Sequence, residues 1–296
     1  MRTLLPRLSL VVFLGLGAGT RLAAAEDRPL GVVALNTVLA EITREVGGTE
    51  VVVTSLVRPG VDPHAFDPSA KDLRTMTDAD LVLASGLQLE SYLDRLGAKL
   101  GPGGRVVVIG DALPSVLTLP GGEKDPHWWH SIDNVLCAAD LVRAELTRLR
   151  PASAKVFSKN ADTYRQRLLA LKAWVAGEMA TLPPPLRQLV TSHDAFGYFA
   201  RDYGFTVHAI TGLSTDGEPD ARQLARLIDL LRREHIRAVF AESSVNSSLV
   251  ANLVAETGVR MGGTLYADGL GPVDSDGATY ETMYRHNVRT IVGALR

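Results

Sequence analysis

Imidazoles and carboxylates hold a divalent cation only where the fold delivers several of them to one point. Their places relative to strands are therefore the first thing to read. His64 stands in RPGVDPHAFDPS, a loop stiffened by its prolines, directly after an apolar run ending at Val57. His193 closes the run LVTSH, and Asp268 closes TLYAD. Three potential cation ligands thus follow strands, where parallel α/β sheets form their sites. Taken singly, each has an ordinary structural role: His64 in a surface turn, His193 at a helix start, Asp268 as a helix cap or turn residue. Their shared position favours the joint reading.

A fourth candidate is DPHWWHSIDN at 125–134, which sets His127 and His130 around two of the three tryptophans, just after a Gly-Gly turn. A metal site, an aromatic ligand pocket and ordinary packing are all compatible with it. Asp125 is expected as an N-cap and Pro126 in the first helical turn, which would put His127 at the exposed start of a helix. His127 and His130, three apart, would face roughly the same way, so both could hold one ion or one could support the other. Trp128 and Trp129 are expected to pack at the rim or between lobes.

The elements that must position these groups alternate between short β-rich runs and amphipathic helices. GVVALN, EVVVTSLV, DLVLASG and RVVVIGDA read as strands, with helices over TVLAEITREVGG, SAKDLRTMTDA and LESYLDRLGAKLG between them. From Ala152 to Leu182 the chain holds one Gly and no Pro, and Val156, Phe157, Tyr164, Leu168, Leu171, Trp174 and Val175 recur at helical intervals. A helix of that length spans about 45 Å and ends at the PPP of 183–185. Alternation then resumes through RQLVTSH, FTVHAI, RAVFAES and GTLYAD to a closing helix, TYETMYRHNVRTIVGAL. The expected fold is α/β: two βα lobes with parallel sheets, joined by one long rigid helix, with the ligand site in the cleft between them.

The first 25 residues read as a secretory signal. Arg2 and Arg7 precede the apolar run LSLVVFLGLGAG, and Ala23, Ala24 and Ala25 offer a cleavage site. The run is too short for the roughly 20 residues of a membrane-spanning helix. The expected organisation is a signal at 1–25, an N-terminal lobe at 26–150, the linking helix at 151–182 and a C-terminal lobe at 183–296. The sole cysteine, Cys137, excludes an intramolecular disulfide and is expected as a small buried helix residue; none near the leader indicates a lipid anchor. Loss of Arg2, Arg7 and Arg21 takes the 31 basic residues to 28 against 33 acidic, a net charge of −5 that suits a diffusing periplasmic protein. With no basic cluster interleaved with aromatics, nucleic acid is not an expected partner.

The stretches VDPHAFDPSAKD, DPHWWHS, TSHDAFGYFARDYG, AVFAES and YADGLG together resemble the periplasmic metal-binding proteins of zinc and manganese ABC importers, across residues 28–296. The resemblance implies that His64, His127, His193 and Asp268 are the metal ligands, that the chain captures zinc and that it is no enzyme. The implied partners are one zinc ion per chain and an ABC permease in the inner membrane, with a metallochaperone as a further candidate. His130 becomes a neighbour in place of a ligand, and Glu242 is expected to support a ligand or to contact the other lobe. Manganese-binding relatives carry Glu where this chain has His193, and three imidazoles with one carboxylate suit zinc better. Many zinc proteins of this group also carry a long His- and acid-rich loop before the DPHxW element; only LTLPGGEK stands here. The alternatives are a manganese or iron receptor of the same family and, in another class, a zinc hydrolase. The hydrolase needs an open coordination position that Asp268 would close, and no HExxH pair is present. An adhesin has no support beyond family names.

Overall fold

The computed structural model describes residues 28–93, 106–215 and 221–296. The expected signal segment, and most of the helix expected over 89–101, lie outside them.

Among the described residues, eight parallel strands form two sheets of matching topology. In the first, β1 (Leu30–Ala34), β2 (Val51–Ser55), β3 (Leu81–Ala84) and β4 (Val106–Val108) lie in the order β2-β1-β3-β4. In the second, β5 (Gln188–Thr191), β6 (Thr206–Ala209), β7 (Ala238–Glu242) and β8 (Arg260–Leu265) lie in the order β6-β5-β7-β8. Each chain path starts in mid-sheet and reverses direction once, which opens a crevice beyond the strand carboxyl ends.

The helices among the described residues are α1 (Thr37–Gly47), α2 (Ala70–Asp78), α3 (Ile132–Leu149), α4 (Ala154–Ala180), α5 (Gly197–Tyr203), α6 (Ala221–Arg233), α7 (Ser248–Thr257) and α8 (Tyr280–Leu295). Local chemistry sets their ends. The Asn36 side chain accepts from Leu39 N to start α1, and reciprocal Ser69–Asp72 and Thr279–Thr282 capping boxes start α2 and α8.

The long helix α4 covers 27 residues, about 40 Å. A 3-10 turn at Pro151–Ser153 precedes it, because proline favours the first turn and lacks an N–H for the interior. Its buried stripe is Phe157, Ala161, Tyr164, Leu168, Leu171, Val175 and Met179. Val156, expected on that stripe, is exposed. The helix packs on α1 and α3 of the first half and on α8 of the second, so it is no isolated strut.

One continuous apolar core runs through both halves. Alternation along the strands divides each sheet between this core and a smaller outer one: Val32 and Ala34 face the shared core, whereas Val33 and Leu35 face the outer cluster with Met76. On the other sheet Leu189 and Phe240 face the shared core, and Val190 and Val239 pack outward with Leu227 and Leu231. Cys137, expected to be buried, is half-buried at the edge of the shared core.

Candidate metal centre

Each candidate group lies on the connection that follows a strand. His64 follows β2, His127 follows β4 after a long loop, His193 is two residues past β5, and Asp268 is three past β8. β8 begins at Arg260, earlier than expected, and its pairing with β7 carries an irregularity between Val239 and Phe240.

The DPHWWHS stretch departs from its expected form. Asp125 caps no helix and His127 is not exposed. His127 precedes a 3-10 turn, Trp128–His130, and α3 starts only at Ile132. His127 is fully buried, as are both tryptophans. Trp129 Nε1 and His130 Nε2 both donate to Ala267 O, at 2.8 Å each, while Tyr280 and Tyr284 hydroxyls donate to the Trp129 and His130 carbonyls. The turn is therefore clamped to the opposite half of the molecule. Those contacts aim His130 away from His127 and place it against the carbonyl one residue before Asp268. Burial, with the His127 charge adding, pushes the His130 imidazole down to about 4.

His64, His127, His193 and Asp268 are all buried, and one ligand atom of each lies within 4.8 Å of the others. His127 Nε2 stands 3.1 Å from His64 Nε2 and 3.3 Å from His193 Nε2. Asp268 Oδ1 is 3.1 Å from His193 Nε2 and 3.5 Å from the Nε2 atoms of His64 and His127. The remaining separation, His64 to His193, is within 4.8 Å. A regular tetrahedron with edges of the other five lengths has its centre about 1.9 to 2.1 Å from each corner, close to zinc–nitrogen and zinc–oxygen bonds of about 2.0 to 2.2 Å.

The surroundings fix which ring nitrogen faces inward. Asp125 Oδ1 accepts from His127 N at 2.9 Å and meets His127 Nδ1 at 2.8 Å. Glu242 does the same for His193, accepting its backbone N–H at 3.1 Å through Oε1 and meeting Nδ1 through Oε2. With the proton held on Nδ1, each Nε2 presents a lone pair to the centre. Lone pairs facing one another at 3.3 Å repel unless a proton or a metal ion lies between them. Asp268 is braced by Ser244 Oγ, which donates to its Oδ2 at 2.6 Å.

The electrostatics point the same way. Asp125, Glu242 and Asp268 pair with imidazoles, not with Lys or Arg. Burial pulls His127 down, but hydrogen bonds to Asp125 and Asp268 outweigh it and raise the imidazole. Burial likewise opposes charge on His193, and the Asp268 and Glu242 carboxylates raise it well above the usual histidine range. Burial would raise Asp268, yet the His193 charge and hydrogen bonds from the three histidines hold it well below the carboxylate range. The cluster is built to hold positive charge.

The four residues expected from the sequence lie together, with Glu242 against the ring of His193. Asp125, expected as a helix cap, braces His127 instead, and Asp62 and Ser244 join the cluster's surroundings without having been expected there. A signal for the two aspartates was present: Asp-Pro-His occurs twice, at 62–64 and 125–127. In both, the aspartate Oδ1 accepts the histidine backbone N–H, at 2.8 and 2.9 Å, because the intervening proline has no N–H to offer.

Comparison with known proteins agrees with this architecture. The family model for the zinc-uptake complex component A, periplasmic (ZnuA), matches residues 32–294. The manganese-binding lipoprotein MntA of Bacillus subtilis is 40% identical over 289 residues, covering 95% of this chain and 94% of that protein. The zinc-binding protein TroA of Treponema pallidum is 34% identical over 284 residues, covering 94% and 92%. The solved structure of that periplasmic zinc-binding protein superposes with a TM-score of 0.87 at 33% identity, over 90% of this chain and 99% of its own. These are solute-binding proteins and not enzymes, which sets the hydrolase aside. With two parallel-sheet lobes and a buried three-histidine, one-aspartate cluster, this chain belongs to the ZnuA family of metal-binding components of ABC importers.

Proposed function

We propose that the chain captures zinc outside the cytoplasm, holds one ion with His64, His127, His193 and Asp268, and hands it to its ABC permease. The observation that carries this is the donor set: three imidazole nitrogens and one carboxylate oxygen at tetrahedral spacing. Zinc accepts four ligands of this mixed kind, whereas harder ions favour more numerous oxygen donors. Glu242 and His130 support the ligands from behind. The proposed lobes are 26–150 and 183–296, with 151–182 linking them and 1–25 removed near Ala25 on export to the periplasm. No described helix is long and apolar enough to cross a membrane. A metallochaperone is a candidate donor of the ion.

A manganese or iron receptor is the second reading, favoured by the 40% identity to a relative named for manganese. Competition titration against a chromophoric chelator separates them. Zinc should bind one per chain and well above manganese, and His193→Glu should shift preference toward manganese by replacing nitrogen with a hard oxygen donor. Equal affinities in the unaltered protein would sink the zinc reading.

A further inference from the structure

The two Asp-Pro-His turns spend their second carboxylate interactions differently. Asp125 keeps to its own histidine, taking both the backbone N–H and Nδ1 of His127. Asp62 takes only the backbone N–H of His64, at 2.8 Å through Oδ1, and its Oδ2 accepts from the Thr215 hydroxyl, 153 residues away in the other half. Thr215 follows a segment laid along the one that carries His193: Thr211 N donates to Ser192 O and Asp194 N to Gly212 O, at 3.0 Å each. One carboxylate therefore joins the turn holding His64 to the strand end holding His193.

This junction sits at the accessible edge of the cluster. A cavity of about 190 Å³ lies beside it, with His64, Gln88, Glu123, Lys124, Leu213 and Ser214, the neighbour of Thr215, in its walls. Of the four ligands, His64 alone borders that cavity, and it is the most exposed of them at 9%. His64 is thus the member of the cluster nearest that opening, and the turn that carries it is tied to the other half through Asp62 and Thr215.

We propose that Asp62 and Thr215 form a latch across the two halves that positions His64 and sets how long the captured ion stays. The pair touches no ion; it acts through His64. The inference rests on the reading of His64 as a ligand. Because a hydrogen bond to a charged acceptor at a partly exposed position is at stake, loss of the latch should speed departure about tenfold.

The test uses the zinc-loaded full chain, with release followed by stopped flow into excess chelator and capture followed separately. Thr215→Val removes the hydroxyl at nearly constant size. It should raise the release rate about tenfold and leave the capture rate within about twofold, while Thr215→Ser should retain slow release. In an Asp62→Ala background, Thr215→Val should add nothing, since its acceptor is gone. Release from Thr215→Val within about twofold of the parent, or Thr215→Ser releasing as fast as Thr215→Val, would overturn the latch. His64→Ala keeps the two ideas apart. If it weakens zinc binding severely while Thr215→Val has no effect, only the latch fails; if His64→Ala binds zinc as the parent does, the ligand reading fails and the latch falls with it.

Discussion

The turns at 62–64 and 125–127 have the same three residues and the same Asp-to-backbone hydrogen bond, yet they hold their histidines differently. At 125–127 the carboxylate also fixes the ring, and tyrosines of α8 clamp the following turn from the other half. At 62–64 the second carboxylate oxygen leaves the ring alone and accepts from Thr215 across the molecule. His127 is fully buried, whereas His64 borders the cavity. The difference teaches that one short motif takes its partners from its surroundings; with the proposed latch it makes either a fixed ligand or a movable one, according to what lies opposite its second oxygen.

The comparison is broken most directly by removing ligands. His127→Ala should weaken zinc by more than the roughly 100-fold seen when outer partners of metal ligands are lost, as should His193→Ala and His64→Ala. His130→Ala should have a smaller effect, because its ring holds Ala267 O and not the central point. A chelator titration in which His130→Ala proves the most damaging would mean that the wrong histidine of DPHWWHS had been chosen.

The next effect separates the two turns. Asp125→Ala frees the His127 ring and should lower equilibrium zinc affinity by about 10- to 100-fold. Asp62→Ala should cost less at equilibrium, since it leaves the His64 ring nitrogens untouched. Isothermal titration showing the reverse order would remove the distinction between fixed and movable ligands.

Acid should act through the fixed side. Bound imidazoles must be neutral, so protons compete with the metal. His127 and His193 are held above the ordinary histidine value in the metal-free cluster, so each stays protonated to higher pH than a free imidazole. Zinc affinity should therefore fall steeply as pH drops from about 7 to about 5.5, with the decline already under way above about 6.5. Titrations at two pH values that gave one affinity would exclude these rings from coordination.

The smallest effect lies far from the metal, where the halves also meet. Glu41 on α1 accepts the backbone N–H of Tyr280 at the start of α8, at 2.8 and 2.9 Å. Burial pushes its carboxyl up to about 7, aided by Glu45 and Glu281, against that hydrogen bond and the Arg167 guanidinium. A carboxyl raised on folding binds more protons folded than unfolded, so its contribution to stability is greatest in acid and shrinks as pH rises from about 4.5 to about 7. Glu41→Gln, which keeps an acceptor for Tyr280 N, should flatten that part of the stability profile. Denaturant midpoints of the metal-free protein across this range would show an unchanged slope if Glu41 played no part. The same experiment should find metal-free protein folded, because the apolar core already runs through both halves without the ion.

Much of this architecture was written locally. The two βα runs, the break at Pro151, the long helix and the strand-end positions of His64, His193 and Asp268 follow from apolar period and turn residues, which act within a few positions of themselves. The family motifs added the choice of His127. What the chain could not state locally was the direction of each side chain. Whether His127 or His130 faces the centre was decided by Ala267, Tyr280 and Tyr284, more than 130 residues away, and those contacts replaced the expected helix start with a 3-10 turn. Identical Asp-Pro-His triplets likewise acquired different partners, one its own ring and the other Thr215. Period and turn chemistry are local properties and survive in the sequence. The burial, tautomer and charge of a side chain depend on which distant groups packing brings against it, and only the tertiary structure decides that.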